Sequence, residues 1–180
     1  GARVGIVPNL SPQEPASNSL ADRRAAYIAD GTGNRWFLDP LAGRGYPEDL
    51  EEWQRQVQSV ITDGDMETIA TPTDFVGINY YIREIIRSRT AAGFPWQEAR
   101  ARQTVFPHRE HTEMGWEVHP DGLFELLTRV HTDYPFPHLY VTENGAAFPE
   151  QVGPGDTVED PGGVPYLEGC GEAVGRADEA

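Results

Sequence analysis

The sequence predicts an α/β fold with parallel strands, because apolar runs of strand length alternate with helical patterns three times along the chain. No sharp repeat of about 20 to 50 residues indicates a solenoid. No break in composition divides the 180 residues, so we expect a single domain over residues 1–180.

The first half of the chain contains the first strand-and-helix unit and leads into the second. Residues 4–9 are typical of a strand, and Ser19 is placed to cap a helix over residues 20–34. Pro47 is expected in the first turn of a second helix, because proline is tolerated where a helix begins. A strand is then predicted over residues 75–81.

The second half begins with a polar connection over residues 87–115, and connections of that length are often functional. Pro120 is expected to open a helix, followed by a buried strand over residues 139–141. The apolar residues of that helix fall at helical spacing: Leu123, Leu126, Leu127 and Val130. After an acidic loop over residues 153–163, five apolar residues could line one face of a last helix: Val164, Leu167, Cys170, Val174 and Ala177.

Composition excludes some classes of partner. Fourteen basic and 29 acidic residues give a net charge of -15, which repels nucleic acid and anionic membrane surfaces. Cys170 is the single cysteine, so no internal disulfide can form and a cytoplasmic location is predicted. The chain shows no apolar stretch long enough for a membrane span and no initiator Met, so we expect an internal start.

Glu143 is the candidate catalytic residue. It follows the apolar strand directly and precedes the turn marked by Gly145. A carboxylate at the carboxyl end of a parallel strand is well placed for chemistry, because active sites of strand-and-helix barrels lie at that end. The alternative is a structural Glu satisfied by a helix N-terminus or an Arg.

Five motifs in order resemble family 1 glycoside hydrolases, the family of the bacterial β-glucosidases. They are VGI at 4–6 followed by NL at 9–10, NRWFLDP at 34–40, DFVGINYY at 74–81, MGW at 114–116 and TENG at 142–145. The resemblance implies a (β/α)₈ barrel, of which this chain holds about the fifth to seventh strand-and-helix units. The N-terminal half and the last strand are expected outside it.

The resemblance also implies the roles of the site residues. Glu143 would be the nucleophile of a retaining β-glucosidase, and the Tyr81 phenol would orient its carboxylate. Asn79 shares a strand face with Tyr81 and would face the sugar. Asn9 would do so from the neighbouring strand, although Pro8 departs from the family pattern. Trp116 would offer an aromatic platform to the aglycone.

The ligand implied is a neutral β-glycoside or oligosaccharide, with no metal or cofactor, and the oligomeric state is left open. A retaining glycosidase needs a second carboxyl group, which in the family comes from an upstream Asn-Glu-Pro motif. Glu14 in the sequence QEP is expected to be a decoy, because it lies downstream of that place. His108 and His111 lack a convincing third metal ligand and are predicted to be loop residues.

Two alternatives remain open: a 6-phospho-β-glycosidase of the same family, and a catalytically inert or sugar-binding remnant. We expect the isolated chain to fold poorly and to be inactive, since a barrel needs about 250 residues.

Overall fold

The computed structural model describes residues 1–88, 106–149, 151–153 and 158–180. Most of the long connection predicted over residues 87–115 lies outside the described residues.

Three parallel strands form the central sheet in the order β1 (Gly5–Ile6), β3 (Phe75–Tyr80) and β5 (Leu139–Asn144). Helices connect them, as predicted for an α/β fold. Within the described residues the sheet is open, with β1 and β5 at its edges. The carboxyl ends of all three strands lie at the same edge, because the strands are parallel.

Strand β1 is shorter than the strand predicted over residues 4–9. Pro8 has no N–H to donate, and regular pairing stops after Ile6. Pairing returns as a single bridge between Asn9 and Asn79. In that bridge the Asn79 N–H donates to the Pro8 carbonyl at 3.1 Å, and the Leu10 N–H donates to the Asn79 carbonyl at 3.1 Å.

The first helix begins where predicted. Helix α1 (Leu20–Asp30) is capped by Ser19, whose side chain accepts a hydrogen bond from the Asp22 N–H at 3.1 Å. The helix does not end at residue 34 as expected, but widens into a π-helical turn (Gly31–Arg35) and continues as α2 (Trp36–Leu41).

The π-helical turn is tied to the loop after β1 through Asn34. The Asn34 amide nitrogen donates to the Ser11 carbonyl at 2.8 Å, and its amide oxygen accepts from the Ser11 N–H at 3.1 Å. These long-range bonds of a buried side chain explain a turn that local sequence signals do not indicate.

Helices α3 (Glu51–Gln58) and α4 (Asp65–Ile69) complete the segment before β3. Pro47 lies outside α3, so its predicted place in the first helical turn is wrong. Instead, the Pro47 carbonyl accepts a hydrogen bond from the Leu50 N–H at 3.1 Å, in a turn that precedes the helix.

A second, small parallel sheet was not predicted. It pairs β2 (Gln13–Pro15) with β4 (Glu84–Ile86), just beyond the ends of β1 and β3. Ile86 packs with three buried alanines of helix α1, Ala25, Ala26 and Ala29. The small sheet therefore holds the loop that follows β1 against helix α1.

Helix α5 (Asp121–Asp133) follows Pro120 as predicted, and all four of its expected apolar residues are buried. Gly122 lets this helix pack closely against the central strand, because glycine has no side chain. A Cβ there would lie 2.5 Å from the Tyr80 hydroxyl oxygen. The main core joins this helix to the sheet and the last helix: Leu10, Leu38, Ile78, Tyr80, Leu123, Leu126, Leu127, Val130, Tyr134, Tyr166, Cys170 and Ala173.

Helix α6 (Gly163–Asp178) exists as predicted, and its predicted buried face is correct in part, since Cys170 is buried and Ala177 packs against the core. Val164, Leu167 and Val174 are exposed, and the buried face carries Tyr166, Cys170 and Ala173. Two contacts set this rotation. The Tyr166 hydroxyl reaches the end of β5, and a Cβ on Gly169 would lie 3.0 Å from the Pro120 ring.

Two short antiparallel strands, β6 (Gln151–Val152) and β7 (Val158–Glu159), lie in the segment before α6. The acidic loop predicted over residues 153–163 is therefore partly paired. In the part of the chain that the structure describes, no helix is both long and apolar enough to cross a membrane.

Candidate active site

The candidate site residues of the three strands meet at the carboxyl edge of the sheet. Asn9 pairs with Asn79, and Asn79 in turn lies opposite Glu143. The β3–β5 register shifts at this point, so that Ile78 lies opposite Val141 and Thr142 is left as the extra residue. Such bulges re-aim side chains near functional sites, and this one brings Glu143 level with Asn79.

The extra residue is held in place by a close contact and a hydrogen bond. The Thr142 hydroxyl donates to the Asn79 side-chain oxygen at 2.8 Å. Gly77 makes room for it, because a Cβ at that position would lie 2.7 Å from Thr142 Cγ2 and 2.8 Å from Val7 Cγ2. Glycine at 77 is therefore needed for the bulge.

Glu143 and Tyr81 are in direct contact. The Tyr81 hydroxyl donates a short hydrogen bond to Glu143 Oε2. This bond to a carboxylate raises the pKa of the Tyr81 phenol, with a smaller contribution from burial. Tyr81 therefore stays protonated and remains a donor at neutral pH.

Trp116 lies beside Tyr81. The centres of the two rings are 5.9 Å apart, with their planes inclined by 49°. Asn9, Asn79, Tyr81 and Trp116 line one cleft of about 400 Å³. Glu143 lies outside this lining and joins it through the hydroxyl of Tyr81.

The structure thus brings all five predicted site residues to one edge of the sheet. Glu143 and Asn9 are exposed, Tyr81 and Trp116 are partly buried, and Asn79 is buried. A cleft lined by amides and aromatic faces can bind a polyhydroxylated ring, and the Glu143 carboxylate adjoins it through Tyr81.

Two residues of the site region were missed by sequence reasoning. The Asn144 amide donates to the Tyr80 carbonyl at 2.8 Å and to the Tyr166 hydroxyl at 3.0 Å. The Tyr166 hydroxyl donates to the Tyr81 carbonyl at 3.3 Å. Helix α6 thereby holds the backbone next to both Glu143 and Tyr81. The adjacency of Asn144 to Glu143 was the available signal, whereas nothing in the sequence points to Tyr166.

Trp116 is carried by a tight hairpin. The Thr112 N–H donates to the Trp116 carbonyl at 2.8 Å, and the Trp116 N–H donates to the Thr112 hydroxyl at 3.2 Å. Gly115 has a positive φ of 73°, a backbone conformation that favours glycine. His111 pairs with Glu117 across the hairpin, and its Nδ1 lies 2.7 Å from the Arg109 carbonyl.

Glu14 is engaged in an ion pair with Arg83. Its carboxylate accepts two hydrogen bonds from Arg83 Nη1, at 2.9 and 3.2 Å. That Glu14 is a decoy, and not the second carboxyl group of a glycosidase, stays a prediction.

One group of possible metal ligands occurs among the described residues: Glu14, His119 and Glu125 offer ligand atoms within 4.8 Å of one another. Burial and the nearby Arg83 charge lower the pKa of His119, which keeps the imidazole neutral. However, Arg83 already occupies the carboxylate of Glu14, and its positive charge opposes a cation there. We assign no metal to this group.

Comparisons with known proteins identify the chain's relatives. The Glycosyl hydrolase family 1 model matches residues 1–177. Beta-glucosidase A of Acetivibrio thermocellus is 33% identical over 93% of this chain, which spans 37% of that relative's length. The bifunctional beta-D-glucosidase/beta-D-fucosidase of Bifidobacterium breve is 34% identical over 99% of the chain and 42% of its own length. A 6-phospho-beta-galactosidase of Lacticaseibacillus casei is 31% identical over 93% of the chain and 41% of its own length.

Solved structures of the same kind share the fold. A beta-glucosidase from Exiguobacterium marinum superposes with a TM-score of 0.85 at 36% identity, over 98% of this chain and 40% of that one. The family 1 β-glucosidase of Thermotoga maritima in complex with isofagomine lactam gives 0.85 at 32% identity, over 98% of this chain and 39% of that one. The open sheet with an acidic residue at its carboxyl edge is thus a part of a larger (β/α)₈ barrel, and the chain belongs to glycosyl hydrolase family 1.

Proposed function

We propose that the protein containing this chain is a retaining β-glucosidase in which Glu143 is the nucleophile. The observation that carries this proposal is the hydrogen bond from the Tyr81 hydroxyl to the Glu143 carboxylate at the carboxyl edge of the sheet. Family membership supports the same reaction class, since the family hydrolyses glycosides.

In the first step, a Glu143 carboxylate oxygen attacks the anomeric carbon of the glucoside, and the bond from that carbon to the aglycone oxygen breaks. A second carboxyl group, about 5 to 5.5 Å away in retaining enzymes, protonates the departing oxygen. None of the described residues is assigned that role. In the second step, water attacks the same carbon and releases glucose and the free carboxylate.

Tyr81 supports both steps through one hydrogen bond. It fixes the Glu143 carboxylate before attack, because a donor to one oxygen leaves the other free. It also stabilises the negative charge that returns to the carboxylate when the glycosyl ester is hydrolysed. The sugar would lie along Asn79 and Asn9, with its aglycone against the Trp116 ring.

The test is a Glu143→Ala variant of the full-length protein, assayed on an aryl β-glucoside with added azide. We expect turnover to fall by at least about 1,000-fold, since removal of a nucleophile disables the whole mechanism. Azide, which fits the space left by the carboxylate, should restore aryl alcohol release and give an α-glucosyl azide. A Glu172→Ala variant, changed at an exposed position of helix α6, is the control. Turnover of Glu143→Ala within about 10-fold of wild type contradicts the proposal.

A 6-phosphoglycosidase is the second candidate, because a 6-phospho-beta-galactosidase is among the relatives. A phosphate needs free basic or hydroxyl groups. Arg83 and Arg109, which lie next to the Trp116 hairpin, both bind the Glu117 carboxylate. These two arginines lie beside the proposed aglycone platform, whereas the 6-phosphate is on the glycone, so their pairing with Glu117 does not discriminate between the two substrates. The ratio of kcat/KM for the glucoside and its 6-phosphate decides between them.

A further inference from the structure

Three segments of the chain meet at the guanidinium of Arg83. Its Nη1 donates to Glu14 in the loop after β1. Its Nη2 donates to Glu117 Oε1 at 2.8 Å, and its Nε donates to Glu117 Oε2 at 3.2 Å. Arg109 adds a further bond to Glu117 Oε1 at 2.7 Å. The ion pair between Arg83 and Glu117 is therefore bidentate, and this geometry fixes the orientation of both side chains.

The two side chains are nearly shielded from solvent. The Arg83 side chain is 11% exposed and that of Glu117 is 10% exposed. Burial opposes the ionisation of Glu117, but the hydrogen bonds from Arg83 and Arg109 outweigh it and leave the pKa of Glu117 below its usual value. Both charges therefore persist at neutral pH, and each depends on the other for solvation.

The pair is attached to the two aromatic residues of the site. Glu117 follows Trp116 directly, and Arg83 stands two residues after Tyr81. The backbone of Trp116 is itself locked to Thr112 by two hydrogen bonds. A shift of the Glu117 carboxylate would therefore move the Trp116 ring relative to Tyr81, whose ring centre is 5.9 Å away.

We propose that Arg83 and Glu117 are positioning residues that hold the Trp116 ring against the aglycone. The pair would thereby determine how tightly the enzyme binds the aglycone of its substrate. This proposal rests on the proposed glucosidase function. Under this proposal, Arg83 and Glu117 affect the reaction only while the aglycone is bound, which is during formation of the glycosyl-enzyme. Hydrolysis of the glycosyl-enzyme, which takes place after the aglycone has left, does not depend on it.

The experiment compares wild type, Arg83→Met and Glu117→Gln in the full-length protein, with rates expressed per titrated active site. For 4-nitrophenyl β-glucoside we expect kcat/KM to fall by about 10-fold or more, because sub-ångström misplacement of a binding group is costly. For 2,4-dinitrophenyl β-glucoside, whose leaving group makes the second step limiting, kcat should stay within about 2-fold of wild type. Arg83→Lys, which keeps the charge but loses the fork, should recover part of kcat/KM.

Binding provides a readout without turnover. Calorimetric titration should show weaker binding of 4-nitrophenyl 1-thio-β-glucoside to Arg83→Met, with the Kd for glucose unchanged. The matched control is Arg129→Met, which removes the pair between Arg129 and Asp30 on the helices. It should lower the melting temperature to a similar degree without changing either kinetic parameter.

An equal loss of kcat and kcat/KM on both substrates in Arg83→Met, or equal weakening of thioglucoside and glucose binding, overturns the positioning role. A wild-type protein that turns over neither aryl glucoside overturns the proposed function itself, and the positioning role with it. The two failures are thus distinguished by the wild-type rate.

Discussion

Strands β3 and β1 lie side by side in one sheet, yet they are buried to very different degrees. Val76, Ile78 and Tyr80 of β3 are each 0% exposed, because β1 and β5 flank the strand and α5 and α6 cover it. In the β1 segment, Ile6 is 42% exposed and Val7 is 44% exposed. The side chains of β1 are as apolar as those of β3, so the difference lies in neighbours and not in sequence.

The site reflects the same contrast. Two positions at the carboxyl end of β3 are each held by several bonds. Asn79 is held by Thr142 and the Asn9 bridge, and Tyr81 by Glu143 and Tyr166. Asn9, at the edge, is exposed. The chain spans 37 to 42% of the length of the curated relatives described above, and in a closed barrel each edge strand has a second neighbour. In a complete barrel, β1 and β5 would each have neighbours on both sides, as β3 has here. We therefore expect their residues to be held as firmly as those of β3.

The largest expected effect concerns the isolated 180 residues. An open sheet leaves two strands with unpaired backbone groups and exposed apolar side chains, so we expect no sharp cooperative thermal transition in a monomeric sample. The measurement is calorimetry with sedimentation of the same sample. A cooperative transition of a monomer would show that the edges need no further neighbours.

Paired substitutions in the full-length protein sharpen the comparison. Ile78→Ala should lower the free energy of unfolding by about 2 to 5 kcal/mol, because it leaves a cavity in a fully buried site. Ile6→Ala should cost about 2 kcal/mol or more if further strands cover β1. Urea unfolding measures both values. A cost below about 0.5 kcal/mol for Ile6→Ala, typical of a surface site, would contradict a covered edge.

Asp30 ties the helix after β1 to the helix after β3, through Arg129 at 2.8 Å. Burial opposes its ionisation, but the hydrogen bonds and charges of Arg129, Asn34 and Arg35 prevail and lower the pKa of Asp30. Its stabilisation is therefore full above the unfolded value of about 4 and is lost as the pH falls through the folded pKa.

Asp30→Asn in the full-length protein should therefore reduce stability by about 1 to 3 kcal/mol at pH 7, and by less as the pH falls below about 4. The readout is the urea midpoint as a function of pH. A constant difference between variant and wild type across that range would exclude the ionised carboxylate as the cause.

The smallest expected effect comes from Tyr166→Phe, which removes a hydroxyl bonded to Asn144 and Tyr81. We expect a loss of about 1 kcal/mol in unfolding free energy, together with a lower kcat per active site, because the backbone beside Glu143 is loosened. Tyr134→Phe removes a comparable buried hydroxyl, bonded to Asp39 at 2.7 Å, and serves as the control. Equal kcat values for the two variants would assign Tyr166 a purely structural role.

Local patterns predicted much of this arrangement. The α/β class, the Ser19 cap and the buried face of α5 followed from hydrophobic spacing and capping chemistry, which are properties of neighbours in sequence. The candidate site residues followed from motif order, and the structure places them at one edge of the sheet. Their chemical roles stay predictions.

Long-range contacts account for what the sequence did not reveal. The buried face of α6 was predicted only in part, because Tyr166 is drawn inward by a polar bond to Asn144, a preference that apolar spacing does not carry. The bulge at Thr142 depends on Gly77, which lies 65 positions earlier, and the bond between Arg83 and Glu117 joins segments that the sequence alone does not bring together. The shortened β1 was indicated by Pro8, whose missing N–H interrupts the ladder.

In the proposed mechanism Glu143 forms the covalent bond to the sugar. The most direct test treats the full-length protein with 2,4-dinitrophenyl 2-deoxy-2-fluoro-β-glucoside, in which fluorine slows both steps and the good leaving group lets only the first proceed. Intact mass and peptide mapping then locate the label. We expect one fluoroglucosyl group per protein, on the peptide that contains Glu143. A label on another carboxylate, or turnover of the parent glucoside by a protein that takes up no label, would contradict it.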